Sequence, residues 1–259
     1  MRPVRLRDVP QALFAPRGFF ARVEDVPRYG WPLMVLLAIV TLIGYAKVET
    51  GLIDREIDRQ TSQRIAEIEK TQLDVVERSA LRELYEEQYK LGDFLKLMAR
   101  IQVIVAEPLR VIATLLVIAA VLYGMVALTG RKPEWHTLLN ICVFAMFVEM
   151  IGLLTALGLM LYHQTLDVET SLALILRPLI GTEGLDPKGL AAAWGMLTAI
   201  DPFRIWFWFV VIAGLTTTMQ LPGWRGWFAG TLCWAVAALV RTAILAGTVA
   251  QAAQVAGHG

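Results

Sequence analysis

Residues 205–247 read IWFWFVVIAGLTTTM-QLPGWRG-WFAGTLCWAVAALVRTAILAG, and this stretch decides the fold. Two apolar runs, 205–219 and 227–247, flank a short joint containing Pro222, Gly223, Arg225 and Gly226. A helix needs about 20 apolar residues to cross roughly 30 Å of hydrocarbon, so the second run is long enough and the first barely so. Proline and glycine in the joint break the helix, and Arg225 gives it a wet surface. The stretch reads as two membrane-crossing helices joined by a tight turn.

Working outward, the whole chain has the same character. Its 259 residues are 56% hydrophobic with a net charge of +1. The apolar residues are bunched into long runs, which is a membrane pattern rather than the scattered pattern of a soluble core. A charge so near zero gives no reason to expect a nucleic-acid partner. Cys142 and Cys233, the only cysteines, both sit inside apolar runs and imply no disulfide framework. The polar residues before the first run, with no small-residue cleavage site after it, predict a retained anchor rather than a cleaved signal.

Toward the N-terminus, residues 1–30 hold Arg2, Arg5, Arg7, Arg17, Arg22 and Arg28. Pro16 can open a short helix with Phe19, Phe20 and Val23 on one face, flanked by Arg17 and Arg22. This predicts an interfacial helix lying apolar side down in the headgroup layer. Span one is expected over 31–48, with Tyr29 and Trp31 as anchors and Lys47 snorkelling.

Residues 49–104 form a long charged extramembrane helical arm in this reading. Ile57, Ile65, Ile68, Val76, Ala80 and Leu84 recur at helical spacing. Asp74 with Arg78, Arg82 with Glu86, and Glu86 with Lys90 are opposite charges four apart. The 54–90 part fits either one helix of about 55 Å or a folded-back hairpin. Gly92 and Asp93 are expected to break it. Phe94, Leu95, Leu97, Met98, Ile101 and Val105 then make an amphipathic approach to the membrane with Lys96 and Arg100 on the wetter side. Pro108 is expected to open or kink span two over 105–128.

Span three is expected over 137–162 and an extracytoplasmic segment with short helices over 163–203. Asp186-Pro187 and Asp201-Pro202 each read as an N-cap followed by a helix-opening proline. Spans four and five follow over 204–220 and 226–250. The fold class is therefore an all-α integral membrane protein with five transmembrane helices and a long charged arm between spans one and two. The N-terminal segment and the two short turns at 129–137 and 220–226 carry nine lysines and arginines, against three in 163–204. This excess predicts a cytoplasmic N-terminus.

Two charges fall inside apolar runs, Glu149 in span three and Arg241 in span five. An unpaired charge at mid-bilayer costs roughly 2.5–3.5 kcal/mol on insertion scales, so such residues seek partners. Their depths differ by roughly 5 Å at 1.5 Å per residue, which predicts a buried Glu149–Arg241 ion pair. His136, His163 and His258 lie far apart with no carboxylate or cysteine at metal-ligand spacing. No His-Glu-x-x-His, nucleophile elbow or glycine-rich phosphate loop occurs. No cofactor, metal site or enzyme is expected. Gly124, Gly152, Gly158, Gly214, Gly230 and Gly247 read as positions of close helix packing.

Phe14-Ala15-Pro16-Arg17-Gly18-Phe19-Phe20 resembles the proline-plus-phenylalanine signature that precedes the first span of Yip-type membrane proteins, the Ypt/Rab-interacting protein family. Ile200-Asp201-Pro202-Phe203-Arg204-Ile205-Trp206 resembles that family's entry into the fourth span. Span number and loop positions extend the resemblance over most of the chain, with the 54–90 arm longer than it implies. The resemblance implies five helical spans, a cytosolic N-terminus and no catalytic residues. It also implies work through contacts: vesicle traffic with small GTPases in eukaryotic members, association with ATP-binding-cassette export transporters in some bacterial ones. The absence of a long acidic domain before span one points to a bacterial-like member of the inner membrane.

The functional expectation is a non-enzymatic accessory or scaffold protein. It would touch membrane lipids and hold a protein partner through the 54–90 arm or the cytoplasmic basic surface. The competing reading is a small-solute or ion transporter that uses the Glu149–Arg241 pair; five spans cannot divide into equal halves, which counts against it.

Overall fold

The computed structural model describes residues 8–22, 27–72, 78–166, 168, 170–171, 197, 201–218, 220–221, 223–232 and 234–235. Every regular element among them is helical: α1 (Val9–Phe14), α2 (Pro16–Phe20), α3 (Gly30–Glu49), α4 (Leu52–Gln72), α5 (Arg78–Ile101), a π-helical turn (Gln102–Ala106), α6 (Glu107–Leu128), α7 (Trp135–His163) and α8 (Pro202–Thr217). Residues 224–232 are helical as well. Among the described residues, three helices are long and apolar enough to cross a membrane: Gly30–Glu49, the 47-residue rod Arg82–Leu128, and Trp135–His163. The fourth expected span is the shorter apolar helix α8, with 16 residues. Arg241 and most of the fifth expected span lie outside the described residues, as do His258, Val23 and most of 163–203, including the Asp186-Pro187 N-cap.

The chain divides into two compact units. The first comprises Met1–Leu36, Ala113–Leu153 and Glu169–Gly259. Its centre is α7, in which every residue from Thr137 to Val148 is buried. A helix apolar on all sides belongs in the middle of a bundle, and α7 occupies that place. Leu115, Ala119, Leu122 and Val126 of α6 are also buried, and their spacing of three and four makes one helical stripe.

Helix α8 runs antiparallel to α7. Three contacts fix the register: Phe203 lies over Gly152, Gly214 over Ile141, and Gln220 bonds Glu134. At Gly214 a Cβ would stand 2.8 Å from the Ile141 side chain, so glycine permits the approach. Gly152 and Gly230 do the same against Phe203 and Ile212. Gly124 and Gly158 meet nothing within 4 Å and are not packing positions; Gly247 lies outside the described residues.

The second unit comprises Leu37–Ile112 and Leu154–Val168. Its α4 and α5 form an antiparallel hairpin, which decides between the two forms expected for 54–90. Asp54 meets Arg100, Asp58 meets Lys96, Thr61 meets Gly92, and Glu69 meets Tyr85. Thus each step outward along α4 is matched by a step back along α5.

One expectation is corrected here. Gly92 and Asp93 do not break the helix, because α5 continues through both. Gly92 instead sits at the helix crossing, where a Cβ would lie 3.0 Å from Thr61 Oγ1. The cost of glycine in a helix, about 1 kcal/mol, is offset by that close packing. Pro108 stands in the first turn of α6, in keeping with the expectation that it opens or kinks span two. It lacks the N–H that would bond the Ile104 carbonyl, and the chain takes this up in the wider π-turn at Gln102–Ala106 before running on as α6. Against that turn lies Gly44 of α3, whose Cβ, were there one, would overlap the Val103 carbonyl oxygen.

Candidate functional site: the N-terminal elbow and the entry of α8

The two short signatures of the sequence, 14–20 and 200–206, meet in the first unit. Pro16 writes the elbow between α1 and α2. A residue before proline avoids the helical region, and Ala15 accordingly ends α1 at φ −134° and ψ 56°. Pro16 then takes the first position of α2, where a missing N–H costs nothing. Arg22 clips the bend, its guanidinium donating to Gln11 Oε1 at 2.6 Å and to the Gly18 carbonyl at 3.0 Å.

Ending α1 leaves its last carbonyls without intrahelical partners. One of them, the Leu13 oxygen, accepts the indole N–H of Trp206 at 3.2 Å. The Trp206 ring also meets Phe14 at 5.2 Å between centroids. Phe19 packs edge-on against Phe144 of α7 at 4.7 Å, and Phe20 is fully buried. The aromatic side of α2 therefore faces α7 rather than a headgroup layer. Phe14, 74% exposed, is the aromatic residue of the elbow that faces outward.

The entry of α8 is fixed by Asp201, as its N-cap pattern predicts. Asp201 Oδ1 accepts the Phe203 N–H at 2.8 Å, and Oδ2 accepts the Thr170 hydroxyl at 2.9 Å. Both carboxylate oxygens are thereby used, one to satisfy an orphan helix donor and one to tie in the preceding chain. At the far end of the α7–α8 pair, Glu134 and Gln220 form a double link. Gln220 accepts the Glu134 N–H at 3.2 Å and donates to Glu134 Oε2 at 3.0 Å. The Thr137 hydroxyl donates to the same carboxylate oxygen at 3.0 Å. Nearby, the Tyr29 hydroxyl lies 3.4 Å from His136 Nδ1 with the rings stacked.

Glu149 is half-buried in α7, level with Trp206 in the register of the pair. Its expected partner, Arg241, is outside the described residues, so the ion pair is neither formed nor broken by what is described. Cys142 is buried inside α7, as expected of a small filler. Among the described residues no group of His, Cys, Asp and Glu is placed to hold a metal ion.

In the second unit the hairpin carries its own charge pattern. Arg100 grips Asp54 with two nitrogens, at 3.2 and 2.5 Å, and Lys96 bonds Asp58 at 2.6 Å. On α4, Arg59 donates to Glu56 at 2.8 Å and Gln60 to the same oxygen at 2.9 Å. The Arg59 bond holds the Glu56 carboxyl below its usual range.

Sequence reasoning missed the Trp206–Leu13 bond, the Gln220–Glu134 link and Gly44. Trp206 gave no signal beyond its place in a short signature. Gly44 could have been found as the lone glycine well inside span one.

These features define an integral membrane protein built of apolar helices, with an aromatic elbow docked on its core and a charged helical hairpin. The Yip1 domain matches residues 11–245, and the chain belongs to the Yip1 family. Among curated proteins and solved structures no match to the chain is found.

Proposed function

We propose that this Yip1-family protein is a non-enzymatic accessory or scaffold of the membrane, holding a protein partner through the α4–α5 hairpin. The observation that carries the reading is the hairpin's construction. Its ion pairs and its glycine crossing join one helix to the other, so the pair is stiff without outside help. Its outer half still offers exposed charge at Arg82, Glu83, Glu86, Glu87 and Lys90. A rigid, charged surface suits steering and specificity toward a complementary partner.

In this reading five helices cross the bilayer, α8 and the helix from 224 onward being the fourth and fifth. The N-terminal segment, with its arginines and the 129–137 and 220–226 turns, lies in the cytoplasm of a bacterial cell. The hairpin stands on the opposite side of the inner membrane, and the partner is a membrane assembly such as an export transporter.

The test is purification in mild detergent of the full chain and of a variant lacking residues 54–90, followed by mass spectrometry of bound proteins. A partner lost with the hairpin, while the variant remains membrane-inserted and monodisperse, supports the reading. A partner retained by the variant, or none bound by the full chain, overturns it.

A further inference from the structure

The lower half of α5 has an apolar face that nothing in the hairpin covers. Phe94, Leu97, Met98 and Ile101 recur at helical spacing, and each is between 40% and 55% exposed; Val105 in the π-turn and Leu109 in α6 are exposed as well. Two charges of the same helix, Lys96 and Arg100, are turned to Asp58 and Asp54 of α4, while Arg110 beyond the π-turn bonds Glu107 and stays exposed. We propose that this face is a lipid-contact surface, and that the hydrocarbon and headgroup layers begin near Phe94, about ten residues before span two was expected to start.

Three observations carry this assignment. First, polarity changes abruptly along one face of one helix. Glu83, Glu87 and Lys90, all exposed, share the meridian that Phe94 and Leu97 continue. Only one turn separates Lys90 from Phe94, as the boundary between two solvents requires. Second, the apolar face is not closed off at its inner end as a protein-docking patch in water would be: past Gln102 and the Glu107–Arg110 ion pair the same rod continues as a helix long and apolar enough to cross a membrane. Third, the length fits. Phe94 to Leu128 is 35 residues, about 52 Å at 1.5 Å per residue. A tilt of roughly 30° reduces that to about 45 Å, the thickness of the hydrocarbon core with its headgroup layers.

The consequence is a division of the hairpin. Its base, with both interhelical ion pairs, sits at the membrane boundary, and only the part beyond Lys90 projects into water. This assignment stands whether or not the hairpin holds a protein partner.

The test uses the full-length chain in phosphatidylcholine–phosphatidylglycerol vesicles. Spin labels are attached at Glu83→Cys, Glu87→Cys, Lys90→Cys, Leu97→Cys, Ile101→Cys and Val105→Cys in a Cys142→Ala, Cys233→Ala background. Accessibility is read against oxygen and against a water-soluble nickel chelate. The logarithm of the oxygen-to-nickel ratio is expected to change sign between Lys90 and Leu97. Nickel accessibility at Leu97 and Ile101 equal to that at Glu87 would put the stripe in water and overturn the proposal. Shielding of both positions from both reagents would overturn it as well, because a second copy or another protein then covers the face. Should the cysteine-free background fail to fold, benzoylphenylalanine replaces Phe94 or Leu97 with both native cysteines retained. Photo-attachment of radiolabelled lipid supports the assignment, and a cross-linked protein band without labelled lipid overturns it.

Discussion

Trp206 donates its indole N–H to the main-chain oxygen of Leu13, 3.2 Å away, across 193 residues of sequence. The bond ties the end of α1 to the first turns of α8 and satisfies a carbonyl that helix termination had left open. It makes the N-terminal elbow part of the first unit's packing rather than a loose leader before span one.

Trp206→Phe removes the bond and keeps most of the ring contact with Phe14, whereas Trp206→Ala removes both. The expected loss of stability is about 1 kcal/mol for the first and roughly 2–4 kcal/mol for the second. Thermal unfolding of the detergent-purified protein measures both. Equal, negligible losses would mean that the elbow does not contribute to the fold.

Gly44 and Gly124 form a matched pair for a second prediction. Gly44→Ala drives a methyl group into the Val103 carbonyl and should cost about 1–3 kcal/mol. Gly124→Ala meets open space and should be neutral or stabilising by up to ~1 kcal/mol. Unfolding midpoints of the two variants check this, and the reverse ranking would refute the close approach of α3 to the π-turn.

Glu56 gives a pH dependence whose sign can be worked out. Its carboxyl is held below the usual value of 4.5 by the Arg59 bond. The bond therefore adds stability above the unfolded-state pKa, and that stability is lost as pH falls through the lower folded-state value. With Arg59 half-exposed the contribution is a few tenths of a kcal/mol. The stability gap between the native chain and Glu56→Gln should be present at pH 6 and close below pH 4. A gap that widens on acidification would contradict the sign.

For Glu149 and Arg241 the proposal is an ion pair inside the bundle. Glu149→Lys alone and Arg241→Glu alone should each lower the amount of folded protein in membranes, an unpaired charge costing roughly 2.5–3.5 kcal/mol. The double exchange should recover much of the loss. Failure of the exchange to restore membrane-inserted, monodisperse protein would count against pairing.

Much of the fold could be read from residue order, and for definite reasons. Long apolar runs announce membrane helices because the bilayer leaves backbone groups no other partner than each other. Asp201-Pro202 announced the start of α8 because capping chemistry is local. The elbow was harder to read. An aromatic face flanked by arginines looks the same whether it meets headgroups or Phe144, since the choice depends on a helix more than a hundred residues away. Gly92 misled for a similar reason: the same residue that weakens a helix in isolation lets it approach another closely, and only the position of Thr61 decides which effect dominates. The Glu149–Arg241 pair rests on counting residues along two spans, and its second member lies beyond what is described.

The π-turn at Gln102–Ala106 has one more effect. It fits an extra residue into a single winding, so every side chain below it is rotated by about 100° relative to an uninterrupted coil. One rod can thereby aim its upper portion at α4 and its lower portion in an independently chosen direction. Deleting a single residue there would bring the two portions back into phase and re-aim them together.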